Sequence, residues 1–288
     1  MLKKIALFSA LAAMMGTAYA YKAEVGVSYS KYDTDGYNDG YYFNSGYDNK
    51  SFELDATYYL NPVDVKNYPL NEAAFLSRAS NFNAQIGRVK NEISWGERGY
   101  WTYKDENKVT TFQLGLEYFV PNSKFYVNAN IGQAKNEYSY KEYYDGDLDY
   151  VSSNKDTSSF YSAEVGYSPI NGLLIAAGLA GYTEDYDDTV IDPTLRAKYV
   201  TTVGKFDANF EGNARFGEDT YYGFGADLYI DKTLSVGLAY SASDNSYDED
   251  DAFSIRAKKF FTPQISVEAS ANISGDVDGY GLRAAYRF

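Results

Sequence analysis

A chain of 288 residues with a formal net charge of −14 has the wrong sign for a nucleic-acid partner. It contains neither His nor Cys, so the usual acid–base group near neutral pH and any disulfide framework are both missing. Aromatic residues make up 18%, with 32 Tyr, a composition unlike that of an ordinary soluble enzyme.

Residues 1–20 begin with Lys3 and Lys4, continue as an apolar run from Ile5 to Met15, and end on Ala18-Tyr19-Ala20. This is the layout of a secretory signal peptide, and the apolar run is shorter than the roughly 20 residues a spanning helix needs. The mature protein is expected to start at Tyr21; losing Lys3 and Lys4 takes its charge from −14 to −16. An exported chain without cysteine needs some other device to close its fold.

From Tyr21 onward the hydropathy pattern has period two. Phe52, Leu54, Ala56, Tyr58 and Leu60 alternate with Glu53, Asp55, Thr57 and Tyr59. The same alternation marks Phe112–Tyr118, Phe125–Ile131, Phe206–Ala214, Leu234–Tyr240 and Ile265–Ile273. Such runs read as half-buried strands, about the 9–11 residues that cross a bilayer at a tilt. Fourteen segments follow in order: 22–31, 51–60, 81–94, 109–119, 125–138, 158–167, 172–183, 193–202, 206–216, 220–230, 233–243, 252–261, 264–274 and 279–288. In the third, Phe82, Ala84 and Ile86 share one phase and Val89 and Ile93 the other, which predicts a bulge near Gly87.

Connections alternate as well. VPNSK, SPING, IDK and TPQ are tight turns, whereas YDTDGYNDGYYFNSGYDNK, YSYKEYYDGDLDYVSSNKD and SDNSYDEDD are long, acidic and rich in Tyr. Short turns on one side and long loops on the other describe an all-β fold: an antiparallel up-and-down transmembrane barrel of about 14 strands over residues 21–288, in the outer membrane of a Gram-negative bacterium, with periplasmic turns and termini. One connection on the turn side is long. In NPVDVKNYPLNEAAFLSRAS, Asn71 is placed to cap a short periplasmic helix over 72–79, between the second and third strands. Glu72, Phe75 and Arg78 then either narrow the periplasmic mouth or pack beneath its rim.

The chain ends on GYGLRAAYRF, alternating up to Phe288. A closed barrel has no free edge, so the last strand must pair with the first along its length. The aromatic end also resembles the signal by which the barrel assembly machinery recognises its substrates, making that machinery an expected partner through Phe288, alongside outer-membrane lipids and lipopolysaccharide.

If the apolar parity faces lipid, the other parity lines the lumen. It carries Glu53, Asp55, Glu117, Asp207, Glu211 and Glu268 against Arg196, Lys198, Arg215, Arg256, Lys258 and Arg283, with Glu24, Glu164, Asp227, Arg88, Lys90 and Arg287 as further candidates. Opposed rows of charge would set a transverse field across a water-filled pore; cross-strand neutralisation is the alternative. In the loops, Asp145, Asp147 and Asp149 have part of the spacing of a Ca²⁺ loop without its Gly, and a solvated acidic rim is the expected reading, with no cofactor or metal. Trp95 and Trp101, with Tyr100 and Tyr103, are expected at the outer aromatic girdle.

PLNEAAFLSRAS at 69–80, taken with the signal peptide, early strands and terminal Phe, resembles the putative-porin family of gammaproteobacteria, typified by the Acinetobacter water-channel porin associated with carbapenem resistance. That resemblance implies a monomeric barrel passing water and small solutes. The expected function is passive diffusion of water, ions and small hydrophilic solutes, and the acidic mouth adds a mild preference for cations or neutral solutes. An enzyme of this location generally needs the missing His. The competing function is a closed or plugged adhesion barrel that binds through its acidic, Tyr-rich loops.

Overall fold

A computed structural model describes residues 20–65, 67–184, 189–244, 251–275 and 277–288. The expected signal peptide, save Ala20, and parts of the EDYDD and DEDD loops lie outside the described residues. In chain order the strands are β1 (Ala20–Thr34), β2 (Tyr37–Asn38), β3 (Tyr42–Asn44), β4 (Asp48–Asp64), β5 (Asn81–Glu97), β6 (Trp101–Phe119), β7 (Phe125–Tyr144), β8 (Asp147–Tyr167), β9 (Leu173–Glu184), β10 (Val190–Val203), β11 (Phe206–Phe216), β12 (Thr220–Asp231), β13 (Leu234–Ser243), β14 (Ala252–Phe260), β15 (Ile265–Ser274) and β16 (Val277–Arg287). β2 and β3 are short pieces of the first extracellular loop, and the other fourteen close into one antiparallel barrel.

The seam is made by β1, which pairs with β4 on one side and β16 on the other: Val25 lies opposite both Ala56 and Tyr286. Pairing runs to the last residue. Phe288 donates its N–H to the Ala23 carbonyl at 3.0 Å and accepts from the N–H groups of Lys22 and Ala23 at 2.8 and 2.9 Å.

Parity separates the two faces. Ile131, Val165 and Phe224 are each more than 60% exposed, and comparable apolar side chains follow on every barrel strand. An apolar belt around the whole circumference exceeds anything a soluble monomer leaves in water, so it faces lipid.

The pairing departs from the sequence reading in three places. β5 runs in unbroken register against β4 and β6 past Gly87, so there is no bulge there: Val89 stays on the lumenal parity opposite Ser51 and Val109. Arg88 and Lys90 consequently belong to the outer parity, opposite Phe52 and Lys50. β7 and β8 span 20 and 21 residues and absorb the stretch read as a long loop, whereas β14 has only 9. At about 3.3 Å per residue, the excess carries that hairpin roughly 30 Å along the strand beyond the membrane. Trp95 and Trp101 also change face: Trp95 pairs with Tyr103 and Trp101 with Tyr144 on the lumenal parity, where the Trp95 ring stacks on Tyr103 and the Trp101 ring is tilted against Tyr144, rather than in the outer girdle.

Candidate functional site

The lumen is floored at its periplasmic end by residues 67–80, which run from the end of β4 across the mouth and back to β5. The helix within them, α1 (Ala73–Leu76), is one turn, shorter than the 72–79 expected. Asn71 does not cap it; its side-chain amide donates to Glu72 Oε1 at 3.2 Å. Arg78 takes a left-handed φ of 52°, which ends the turn.

Each part of the segment is tied to a different stretch of wall. Leu70 donates its N–H to the Lys232 carbonyl at 2.8 Å, and its own carbonyl accepts from Arg287 Nη1 at 2.9 Å. Arg78 Nη2 donates to the carbonyls of Ser123 and Phe125 at 3.0 and 3.3 Å. Partial burial pulls this guanidinium below its ordinary pKa. Leu70 and Ala73 pack with Tyr21, Tyr59, Val63, Val65, Ala79 and Phe260, while Phe75 packs on Phe119, Tyr126 and Leu174.

At the centre is Glu72, only 1% exposed. Its Oε1 accepts from the Tyr229 hydroxyl at 2.5 Å and its Oε2 pairs with Lys198 Nζ at 2.8 Å. Lys198 also pairs with Glu211 at 2.7 Å and lies over the Phe75 ring at 5.1 Å. A buried carboxylate is tolerable only when charge and hydrogen bonds compensate it, as they do here. This links the segment to β10, β11 and β12.

Above the floor lies a cavity of about 320 Å³, lined by Glu72, Phe75, Glu117, Arg196, Lys198 and Glu211 among others. Arg196 donates to the Tyr126 hydroxyl at 3.0 Å, and Tyr126 donates to Glu117 at 2.6 Å; Arg196 also lies 3.7 Å from Glu117 and 3.8 Å from Glu164. Across the barrel Arg256 grips Asp227 with two hydrogen bonds of 2.7 and 2.8 Å. Arg283 grips Asp55 and reaches Glu24, which Arg287 also holds. Lys258 lies 3.5 Å from Glu268, and Arg215 pairs with Asp192 at 2.7 Å. Glu53 accepts from Gln85, and Asp207 accepts from Thr202 at 2.8 Å.

Every base named for the lumenal parity therefore has an acid partner nearby, except that Arg88 and Lys90 belong outside. The rows are interleaved rather than opposed. Small residues make room for the pairs: a Cβ on Gly26 would fall 2.4 Å from both Arg283 Nη2 and Asp55 Oδ1. Sequence reasoning missed Tyr126, Tyr229 and Asp192, whose lumenal role is visible only once their partners on other strands are placed. Among the described residues no group of His, Cys, Asp or Glu is arranged to hold a metal, Asp145, Asp147 and Asp149 included.

Comparison with known proteins agrees with this architecture. A family model described as "Putative general bacterial porin" matches residues 2–288. The crystal structure of the Acinetobacter baumannii outer membrane protein Omp33 is similar at a TM-score of 0.64 and 23% identity, over 94% of this chain and 99% of that one. OprB of Pseudomonas putida, in its low-pH structure, gives a TM-score of 0.45 at 11% identity over 93% of both chains. The translocator domain of the autotransporter NalP from Neisseria meningitidis gives 0.45 at 9% identity, over 100% of this chain and 95% of that one. No curated protein matches the chain in sequence.

Proposed function

Because this chain belongs to that family of general bacterial porins and is an outer-membrane channel, we propose that it passes water, ions and small hydrophilic solutes by passive diffusion, without catalysis. The observation that carries the reading is the polar cavity walled by Glu117, Arg196, Lys198 and Glu211 inside a barrel whose outer face is apolar. Fourteen strands enclose a lumen between the side-chain-filled 8-stranded barrels and the open 16-stranded porins, so wall and floor together set the bore.

Glu53, Asp55, Asp207, Glu268, Arg215, Arg256, Lys258 and Arg283 line the path in this reading, and Glu72, Phe75 and Arg78 hold the constriction. Every lumenal base is paired whereas Glu53 and Asp207 meet only the neutral side chains of Gln85 and Thr202, so an acidic excess on the wall adds to the acidic extracellular loops in giving the mild preference for cations or neutral solutes. Phe288, at the seam, is the residue offered to the assembly machinery, and residues 1–20 are the signal removed on export.

Planar-bilayer recording of the refolded mature chain under a salt gradient tests this. Stepwise openings with a reversal potential on the cation side are expected. A folded barrel that stays silent would instead support adhesion through the loops, and an anion-selective potential would reject the stated preference.

A further inference from the structure

The outer parity is not apolar to its upper edge. Immediately above the apolar belt, on four adjacent strands, Lys31 lies opposite Lys50, Lys50 opposite Lys90, and Lys90 opposite Lys108. One pleat higher runs a second row: Asp278 opposite Asp33, Asp33 opposite Asp48, Asp48 opposite Glu92, and Glu92 opposite Glu106. Each lysine is tied to the row above, Lys31 to Asp33 and Lys50 to Asp48 at 2.6 Å, Lys90 to Glu92 at 2.7 Å and to Glu106 at 2.9 Å, and Lys108 to Glu106. The lysine side chains remain 26–45% exposed.

Like charges directly opposite one another across strands are destabilising, and a wall that only neutralised itself would alternate signs from strand to strand. The adjoining strands do so: Glu137 on β7 lies opposite both Lys108 and Lys155. Sorting by height is therefore specific to β1, β4, β5 and β6. It is also confined to one side of the barrel, because the outward positions near the upper ends of β10–β15 are Ile191, Phe216, Tyr222, Tyr240, Phe253 and Ile273.

We infer that the lysine row is a docking line for the phosphates of a phosphorylated glycolipid of the outer leaflet. An ammonium group has three donors, so each lysine held from above by a carboxylate keeps donors for a phosphate beside it. At about 4.8 Å between strands the row is roughly 14 Å long, enough for more than one phosphate. It sits at headgroup height, above Tyr29 and Phe52 on β1 and β4. The carboxylate row then meets the sugar portion, whose hydroxyls donate to it. Arg88, one pleat below the row and with its side chain 56% exposed, reaches up to within 3.8 Å of Glu137 on β7 and so closes the basic surface on that side.

The test is native mass spectrometry of the refolded full-length mature chain in detergent. The probes are lipid A bearing two phosphates, the same glycolipid without phosphate, and phosphatidylglycerol. The wild-type chain is expected to retain the bisphosphorylated glycolipid in preference to the other two. K50Q/K90Q should weaken that retention roughly tenfold or more. K259Q, outward-facing at the periplasmic end, should leave it unchanged, with heat-modifiable gel mobility reporting the fold of each variant. Equal retention of all three probes by the wild-type chain would overturn the inference, whether or not the double variant folds. So would undiminished binding by a folded K50Q/K90Q.

Discussion

The two mouths of the barrel are built on opposite plans. At the periplasmic mouth Tyr21, Val63, Leu70, Ala73, Phe119, Tyr126 and Leu174 are all buried, around a segment fastened to the wall by Glu72, Leu70 and Arg78. At the extracellular mouth Tyr37, Tyr41, Tyr42, Tyr47 and Tyr150 are more than half exposed, and the loop is ordered by local contacts such as the Asp39 carboxylate accepting from the N–H groups of Tyr41 and Tyr42. A membrane barrel has no central core, so close packing appears only where a connection folds into the lumen. In our account the resistance to flow sits at that end, and the extracellular end tunes which solutes approach.

Substitutions at the two mouths should differ widely in effect, with the largest at the periplasmic floor. Replacing residues 68–79 by a Gly/Ser linker of equal length is expected to raise single-channel conductance several-fold while leaving a heat-modifiable barrel. Glu72→Ala leaves Lys198 with Glu211 alone and Tyr229 without its acceptor, which should cost about 2–4 kcal/mol in the stability of the floor. Denaturant titration and noisier, larger openings would report it, and an unchanged trace would show that the apolar contacts suffice. Smaller still, Arg196→Gln should shift the reversal potential toward cations and Glu117→Gln toward anions, with little change in conductance. Shifts of the same sign in both would show that neither faces the permeating ions.

The smallest effect belongs to the outer mouth. The N–H groups of Tyr41 and then Tyr42 hold the Asp39 carboxyl below its ordinary pKa. A depressed carboxylate contributes its order above the ordinary value and loses it as pH falls through the lowered one. The protection of the Tyr41 and Tyr42 amides relative to their intrinsic exchange rates should therefore fall only in that acid range, with conductance unaffected.

How far the sequence reaches follows the same division. Within the membrane belt, period-two alternation is imposed by lipid on one side and water on the other, so Phe52–Leu60 and Phe206–Ala214 announce their strands and faces unaided. Beyond the belt that constraint lapses. The hairpin of β7 and β8 continues through Tyr138–Tyr144 on backbone pairing and aromatic β-propensity, with no apolar alternation to mark it. Val89 and Ile93 suggested a phase change only because apolar residues were assumed to face lipid there. The lumenal charges could be assigned a parity but not partners: Glu72 meets Lys198 and Tyr229 across the barrel, 126 and 157 residues away in sequence. Nothing local encodes such a pairing, whereas the seam at Phe288 was legible because closure demands it.

The most direct test of where resistance resides is the single-channel conductance of the mature chain beside that of the 68–79 linker variant, in the same bilayer and salt. A wild-type chain with small steps and a variant with steps several-fold larger is the result the account predicts. Equal steps from two folded barrels would contradict it, placing the constriction in the paired charges of the wall or in the extracellular hairpins.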